Sequence, residues 1–197
     1  ISINCTFIIC IEIIMKDHFN FFFFKSIKNT NDELKKNYLK DKSNIAIFTQ
    51  NQISGRGRVG RKWISSKGDL TCSFLINTQV SPKRLGQINI WFINILYEIL
   101  KKIYPTLDLK IKWPNDLYLN DSKLGGVLME TSIKNNTSSY ILIGVGINLI
   151  SSPKNLDYPT TSISNYKLKT DPINVFFEIS RKLMGAFSNI NHNFFFY

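Results

Sequence analysis

A glycine- and arginine-rich segment at residues 55–60, Gly-Arg-Gly-Arg-Val-Gly, follows an apolar stretch that has the composition of a β-strand. Its glycine spacing is that of a dinucleotide-binding loop, but such a loop opens a helix whose N-terminal amides hold the pyrophosphate. The next apolar segment here is 70–76, which is typical of another strand. The segment therefore excludes a Rossmann-type unit and indicates a loop between two strands.

Two other phosphate-binding loops are excluded by the same part of the sequence. A Walker A loop has Lys and Ser or Thr directly after its last glycine, where this chain has Arg61 and Lys62. A protein kinase needs HRD and DFG tripeptides, and the sequence contains neither. What remains is a flexible loop suited to phosphate or carboxylate anions and to a flat ring. Its basic and aromatic side chains are Arg56, Arg58, Arg61, Lys62, Lys67 and Trp63.

The chain length of 197 residues fits one well-buried domain. With 44% hydrophobic and 20% charged residues, the composition is that of a folded globular protein. The formal net charge of +11 is compatible with nucleic acid, a membrane surface or an acidic ligand or protein partner. Because a coding bias toward Lys, Asn, Ile and Phe explains it equally well, the charge alone does not indicate nucleic-acid binding.

The three cysteines, Cys5, Cys10 and Cys72, form neither a CxxC pair nor an even framework, which favours reduced thiols in a cytoplasmic protein. The apolar stretch 1–14 is too short and too interrupted for a membrane span and lacks the basic start of a signal peptide. We therefore expect residues 1–14 to be a non-native or upstream leader, with Met15 as the start.

Hydrophobic periodicity and turn residues predict a strand-rich chain with three helices. The predicted strands are 19–27, 45–50, 70–77, 107–112, 117–119, 123–131 and 140–149. The predicted helices are 32–40, capped by Thr30 or Asn31, 83–104 and 171–187. Strands bracketed in this way by helices predict an α+β fold with helices packed on a mixed sheet.

Three polar clusters stand at the ends of predicted strands, where rigid elements aim side chains into one site. The first is Gln52 with residues 55–63, the second is 112–116 with Lys123 seven residues beyond Asp116, and the third is 144–148, with two glycines in a strand. Each cluster alone has an ordinary structural explanation, such as a turn or a bulge. Together they predict one binding site.

Other catalytic chemistries have no support in the sequence. His18 and His192 lie in the compositionally biased ends and indicate no nucleophilic triad. No HExxH, CxxC or clustered carboxylate motif indicates a metal held by the protein, so we expect any cation to arrive with a nucleotide.

Three segments resemble the catalytic domain of biotin protein ligases, the biotin–acetyl-CoA-carboxylase ligase group. They are GRGRVGRKW at 55–63, KWPNDLYLNDSKLGGVL at 112–128 and IGVGINL at 143–149, and the resemblance runs from about residue 19 to the end of the chain. It implies a mixed, mainly antiparallel sheet flanked by helices, of the class II aminoacyl-tRNA-synthetase-like type. It also implies a two-step ligase: biotin and Mg-ATP give biotinyl-5′-AMP, and a carrier-protein lysine then accepts the biotin.

The resemblance implies site residues position by position. Lys123 and Arg58 match catalytic positions, with Lys123 at the carboxylate and the α-phosphate. The positions that match biotin-binding residues are Asn29, Thr30, Asn31, Gln52, Arg56, Gly57, Arg58, Lys123, Gly126, Gly144 and Gly146. Those that match ATP-binding residues are Arg58, Arg61, Trp63, Lys112, Asn115, Asp116 and Asn148. Trp63 is expected near the adenine, and Gly125 with the other glycines is expected to leave room for ligand.

The sequence departs from the family pattern at two positions: Asn29 stands where the family usually has serine, and Val59 where it commonly has arginine. The resemblance assigns 15–197 to the catalytic domain, without an N-terminal helix-turn-helix and with the small C-terminal β-barrel absent or truncated. It implies biotin, ATP and Mg²⁺ as ligands and a biotin carboxyl carrier domain of acetyl-CoA carboxylase or a related carboxylase as acceptor. Neither nucleic acid nor membrane is an expected partner, and a homodimer stays open.

Two alternatives remain at this point. One is a catalytically impaired remnant that still binds biotin. The other is a lipoate or octanoate transferase on the same fold, although those relatives lack the arginine-rich loop at 55–63.

Overall fold

A computed structural model describes residues 19–40 and 43–188. The expected leader at 1–14, the start at Met15, the cysteines Cys5 and Cys10, and both histidines lie outside these residues. The strands are β1 (Phe19–Phe24), β2 (Asn44–Thr49), β3 (Gly55–Arg56), β4 (Lys62–Trp63), β5 (Leu70–Ile76), β6 (Leu109–Lys112), β7 (Asp116–Leu119), β8 (Ser122–Glu130), β9 (Ile133–Lys134), β10 (Thr137–Ser138) and β11 (Ile141–Ile147). The α-helices are α1 (Thr30–Asn37), α2 (Pro82–Ile103) and α3 (Pro172–Ser188), and short 3₁₀ turns span Arg58–Gly60 and Ile163–Tyr166.

Seven strands form the main sheet in the order β1-β2-β5-β11-β8-β7-β6. The pair β1–β2 is parallel and is joined through α1, whereas the remaining neighbours are antiparallel. Short pairs β3–β4 and β9–β10 lie outside this sheet. The predicted α+β architecture with a mixed, mainly antiparallel sheet is confirmed.

The two faces of the sheet differ because alternate residues of a strand point to opposite sides. One face packs against α2 and α3 and carries the larger apolar core, to which β5 and β11 contribute Leu70, Cys72, Phe74, Ile143, Val145 and Ile147. The other face packs against α1 through a smaller cluster that includes Leu34, Ile45 and Leu75. Beside that cluster, Ser73, Gly144 and Gly146 carry no bulky side chain, so polar groups of other elements can lie directly on this second face.

The aromatic run in β1 is structural. Phe19 and Phe21 pack edge-on against Phe74 and Phe176, with ring centroids 5.7 and 5.8 Å apart, and Phe74 stacks on Phe176. Burial raises the pKa of the Cys72 thiol in the same core, so Cys72 packs there as a neutral apolar side chain. Whatever its origin in composition, the phenylalanine-rich segment therefore fills the core between sheet and helices.

Helix α1 corrects two sequence predictions. Its cap is Asn29, not Thr30 or Asn31, because the extended backbone at Asn29 lets the side-chain oxygen accept the Asp32 N–H at 3.1 Å. The helix ends at Asn37 rather than at residue 40. Thr30 and Asn31 consequently lie in the first turn, buried against the sheet.

The remaining elements lie close to their predicted positions. Helices α2 and α3 and strands β7, β8 and β11 agree to within three residues at either end. Within the described ranges, no helix is both long and apolar enough to span a membrane.

Candidate active site

A cavity of about 330 Å³ opens on the polar face of the sheet, between α1, the 55–63 segment and the β7–β8 hairpin. Its volume is in the range of small-molecule sites. Every predicted site residue but Asn148 lines it. The lining residues that the sequence had singled out are Asn29, Thr30, Asn31, Gln52, Arg56, Gly57, Arg58, Arg61, Trp63, Lys112, Asn115, Asp116, Lys123, Gly126, Gly144 and Gly146.

Neutral amides and hydroxyls form the α1 side of the cavity. The Gln52 side-chain oxygen accepts the Thr30 backbone N–H at 2.9 Å and the Thr30 hydroxyl at 3.2 Å. Asn29 also ties its amide N–H to the Ser54 carbonyl at 3.0 Å. The start of α1 and the entry to the arginine loop are thus held together by hydrogen bonds across the site.

Asn31 is fixed from two sides. Its oxygen Oδ1 accepts the Ser73 hydroxyl at 2.5 Å, and its nitrogen Nδ2 donates to Oε2 of Glu130 at 2.7 Å. Ser73 also lies 2.6 Å from the Thr30 hydroxyl. Ser73 is fully buried under α1, so a strand residue positions two residues of the site from below.

Glu130, at the end of β8, also pairs with two cations. Lys35 Nζ lies 2.6 Å from Oε1, and Arg56 lies 3.6 Å from Oε2. Burial alone would raise the pKa of this carboxyl, but hydrogen bonds from Lys35 and Asn31 and the charges of Lys35 and Arg56 lower it below its ordinary value. Glu130 is therefore ionised at neutral pH beside the site.

The 55–63 segment forms the outer wall of the cavity. Strands β3 and β4 pair across a 3₁₀ turn in which Val59 and Gly60 have the positive φ angles 52° and 72°. Arg58 donates to the Asn115 side-chain oxygen at 2.8 Å, and Arg56 forms an ion pair with Asp32. The segment is thus a loop between strands, as predicted, and two arginines anchor it to opposite sides of the cavity.

The opposite wall is the hairpin that begins at residue 112. Lys123 donates to Asp116 at 2.8 Å across β7 and β8, and its side chain is only 16% exposed. Asn115 is buried and donates to the Val127 carbonyl at 2.8 Å. Trp113, before a cis peptide bond to Pro114, is 75% exposed at the rim. A half-buried cation and a fixed amide therefore face the arginine loop.

The glycines of the site lie directly against other protein atoms, and the room that they are expected to leave for ligand stays a prediction. A Cβ on Gly144 would meet Asn31 Oδ1 at 2.6 Å, and one on Gly146 would meet the Trp63 indole at 2.4 Å. A Cβ on Gly126 would meet Asp116 at 2.7 Å, and one on Gly125 the Gly146 carbonyl at 2.5 Å. The glycines act by letting those groups lie directly on the sheet.

Asn148 is the predicted residue that the structure does not bring into the cavity. It is buried one residue beyond β11, where its amide nitrogen donates to the Thr161 carbonyl at 3.0 Å and its backbone N–H to the Leu124 carbonyl at 2.9 Å. These bonds tie the segment around residue 161 to the sheet. The side-chain oxygen Oδ1 of Asn148 is buried without a hydrogen-bond partner among the described residues, and the predicted contact of Asn148 with nucleotide stays a prediction.

Four residues of or around the site were missed by the sequence reasoning. Ser73 and Glu130 hold Asn31, Asp32 pairs with Arg56, and Tyr158 lines the cavity with its ring 5.7 Å from Lys123 Nζ. Asp32 lies at the start of the predicted helix 32–40, and no motif marks it as a site residue. Ser73, Glu130 and Tyr158 belong to no motif, and only their contacts with residues distant in sequence place them at the site.

Two further observations define what the cavity offers a ligand. The Trp63 indole N–H is buried without a hydrogen-bond acceptor among the described residues. No group of three or more His, Cys, Asp or Glu side chains capable of holding a metal occurs in the same part of the chain. The cavity therefore combines amides, aromatic rings and one acidic side chain, Asp116, with six cationic side chains, which are Arg56, Arg58, Arg61, Lys62, Lys112 and Lys123.

Comparison with known proteins gives a family match. Residues 23–148 match the model of the "Biotin/lipoate A/B protein ligase family". The bifunctional ligase/repressor BirA of Escherichia coli is 36% identical over 124 residues, covering 62% of this chain and 38% of that protein. Biotin–protein ligase 2 of Arabidopsis thaliana is 31% identical over 175 residues, covering 86% of this chain and 50% of that protein. The chain thus spans about half or less of the length of these relatives.

A solved structure gives the same result at the level of the fold. The biotin protein ligase of Aquifex aeolicus in complex with biotin and ATP matches with a TM-score of 0.72 and 26% identity, over 91% of this chain and 73% of that one. The predicted fold class, a biotin–lipoate ligase catalytic domain of the class II aminoacyl-tRNA-synthetase-like type, is confirmed.

Proposed function

Because the chain belongs to the biotin/lipoate A/B protein ligase family, we propose that it is a biotin ligase that forms biotinyl-5′-AMP and transfers the biotinyl group to a lysine of a carrier protein. The relatives named above as ligases and the solved complex with biotin and ATP support this assignment. The two chemical steps are an attack on phosphorus and an attack on an acyl carbon.

The observation that carries the proposal is the convergence of three separated segments on one cavity. Residues 55–63, 112–128 and 144–146 meet there with the first turn of α1. One side offers neutral amides suited to an uncharged polar ring, and the other offers cations suited to a carboxylate and phosphates. A ligand with both characters, such as biotin beside ATP, matches this division.

In the first step, a carboxylate oxygen of biotin attacks the α-phosphorus of ATP. The new oxygen–phosphorus bond forms as the bond to the bridging oxygen breaks, and pyrophosphate leaves with the electron pair. Because this brings two anions together, the site has to supply positive charge. Lys123 and Arg58 supply it from opposite walls of the cavity, and Lys123 acts as a protonated charge rather than as an acid or base.

In the second step, the neutral amine of the acceptor lysine attacks the acyl carbon of biotinyl-AMP. The acyl carbon–oxygen bond breaks, AMP leaves, and the new amide nitrogen loses a proton. Between the steps the mixed anhydride has to be kept from water. The 55–63 loop performs this function by closing over the intermediate with Arg56 and Arg58.

We further propose that Mg²⁺ enters with ATP, which supplies most of its ligands. Mg²⁺ prefers oxygen ligands and keeps several waters. Of the acidic side chains in the described residues, Asp116 lines the cavity and is the protein carboxylate available to the ion. Bound there, Mg²⁺ would supply positive charge to the phosphates.

For the acceptor, we propose an acidic biotin carboxyl carrier domain of acetyl-CoA carboxylase or a related carboxylase. The net charge of +11 favours encounter with an acidic partner. A cytoplasmic location and the assignment of 15–197 to the catalytic domain belong to the same proposal.

Incubation of the chain with biotin, Mg-ATP and an acidic carrier domain tests the proposal. We expect biotin-dependent pyrophosphate release and a biotinyl group on one carrier lysine. Pyrophosphate without transfer identifies a half-active domain. Biotin binding without either product identifies a remnant, and lipoate or octanoate used in place of biotin identifies the other branch of the family.

A further inference from the structure

We infer that Glu130 is a positioning residue that fixes the orientation of the Asn31 amide, so that the cavity presents an N–H donor to a carbonyl oxygen of its ligand. Glu130 lies outside the cavity lining, at the end of β8. The inference rests on the proposed function, because the ligand carbonyl is that of the biotin ureido ring.

The hydrogen bonds determine which way the amide points. An ionised carboxylate only accepts hydrogen bonds, so the Asn31 atom 2.7 Å from Glu130 has to be the nitrogen. On the other side the Ser73 hydroxyl donates to Asn31 Oδ1. A flipped amide would set its oxygen against the Glu130 carboxylate, which is repulsive. Glu130 therefore excludes one of the two amide orientations.

The sheet restricts the position of the Asn31 side chain. Its side chain lies directly over Gly144, close enough that a Cβ there would meet Oδ1 at 2.6 Å. With Oδ1 bonded to Ser73 and one hydrogen of Nδ2 bonded to Glu130, the second Nδ2 hydrogen is what the amide offers the cavity. Asn31 thus acts as a donor whose orientation is set from behind.

The Gln52 side-chain amide is oriented in the same way as that of Asn31, with its oxygen bonded to the protein. Its side-chain oxygen accepts the Thr30 backbone N–H at 2.9 Å, which leaves its NH₂ group for other partners. Both amides therefore keep their oxygens on the protein. This part of the cavity therefore offers N–H donors to a carbonyl acceptor of the ligand, such as that of a urea.

A double-mutant cycle on biotin binding tests the inference. Calorimetry would compare the chain with Glu130→Gln, Asn31→Ala and the double variant. A glutamine side chain tolerates both orientations of Asn31, so we expect Glu130→Gln to weaken biotin binding about tenfold, the value of one hydrogen bond to a charged group. In the Asn31→Ala background the same change should cost no more than about twofold, because its partner is absent.

Glu33→Gln is the matched control. Glu33 also accepts a hydrogen bond from an asparagine, Asn37, but on the exposed surface of α1. We expect this variant to bind biotin as the unmodified chain does. If Glu130→Gln prevents folding, Glu130→Ala, which also removes the carboxylate, carries the same cycle.

Each remaining outcome has a definite meaning. The positioning role is overturned if Glu130→Gln weakens biotin binding equally with and without Asn31, or does not weaken it at all. Neither result contradicts the proposal that the chain binds biotin. An unmodified chain that folds but does not bind biotin overturns the proposed function, and with it this inference.

Discussion

Lys123 is placed where a positive charge has the strongest effect. It is largely buried, lies 2.8 Å from Asp116 and faces the arginine loop across the cavity. Charges in such a partly desolvated site interact more strongly than they do in water. The ammonium group is thus held at the cavity by its ion pair with Asp116.

Replacing Lys123 by alanine should lower the rate of biotin adenylation at least about a hundredfold, the size of effect found when one transition-state donor is removed. Biotin-dependent exchange of labelled pyrophosphate into ATP measures this step. Lys110→Ala, an exposed lysine paired with Asp108, is the matched control and should keep full activity. Adenylation that persists in Lys123→Ala would eliminate its assigned role.

Glu130 makes stability depend on pH in a defined direction. Its pKa is lowered in the folded state, so the carboxylate stabilises the fold above its unfolded pKa of about 4.3, and that stabilisation is lost as pH falls through the lower folded value. Glu130→Gln should therefore cost about 1 kcal/mol near pH 7 and progressively less on acidification below about pH 4. Urea unfolding at several pH values measures the difference. A constant cost across this range would refute the linkage.

The individual site residues show which features can be predicted from the sequence and which cannot. The arginines, the 112–116 turn and Lys123 lie in motifs, and sequence reasoning therefore identified them. Ser73 and Glu130 lie in apolar strands, where periodicity reports burial and not the hydrogen-bond partner on another element. Asn148 lies in a motif but outside the cavity lining, and its amide nitrogen donates to the Thr161 carbonyl.

At the scale of elements, the 55–63 loop determines the outer wall of the site. It is paired only through β3 and β4 and is anchored by side chains to Asp32 and Asn115. Ion pairs and hydrogen bonds of exposed arginines exchange readily with those of an anionic ligand. The loop therefore has the contacts expected of a lid that re-forms its anchors around an acyl-adenylate.

Arg58→Gly should release biotinyl-AMP into solution about tenfold faster, because the lid loses a charged hydrogen-bond donor. Rapid filtration without a carrier measures the release. Lys67→Gly removes a nearby cation that does not line the cavity and should leave the rate unchanged. If Arg58→Gly retains the intermediate as long as the unmodified chain does, loop closure does not depend on this residue.

Two glycines of strand β11 lie under different parts of the site, Gly144 under Asn31 and Gly146 under Trp63. Gly144→Ala would displace Asn31, and Gly146→Ala would displace Trp63. We expect the first change to weaken biotin binding at least about tenfold and the second to weaken mainly ATP binding, because overpacked contacts force these side chains to move. Calorimetry with each ligand separates the effects, and Gly86→Ala, at an open helical position, is the control. Equal losses for both ligands in both variants would contradict this division.

Elements were predicted well where local signals are strong. The amphipathic pattern of α2 and the polar turns beside the strands mark the boundaries within a few residues. The parallel β1–β2 pair has no such signal, because register and direction depend on how α1 crosses the sheet. The cap at Asn29 was missed because three successive residues, 29–31, are all favourable caps.

In the molecule as a whole, the order and direction of the strands bring the residues of the site together. Antiparallel pairing of β11 with β5 and β8 brings Gly144 beside Ser73 and Gly146 beside Gly126. The apolar residues of the same strands face α2 and α3, and this core supports the polar face from behind. Segments that are more than 80 residues apart in sequence, such as 55–63 and 144–146, therefore line one cavity.

We propose that this one cavity joins biotin to the α-phosphate of ATP and passes the biotinyl group on. Biotin whose carboxylate carries heavy oxygen tests it most directly, with mass spectrometry of the AMP formed in the presence of a carrier. We predict that AMP acquires one labelled oxygen, because the carboxylate oxygen that attacks phosphorus leaves with AMP. Absence of AMP, or AMP without the label, would contradict the account.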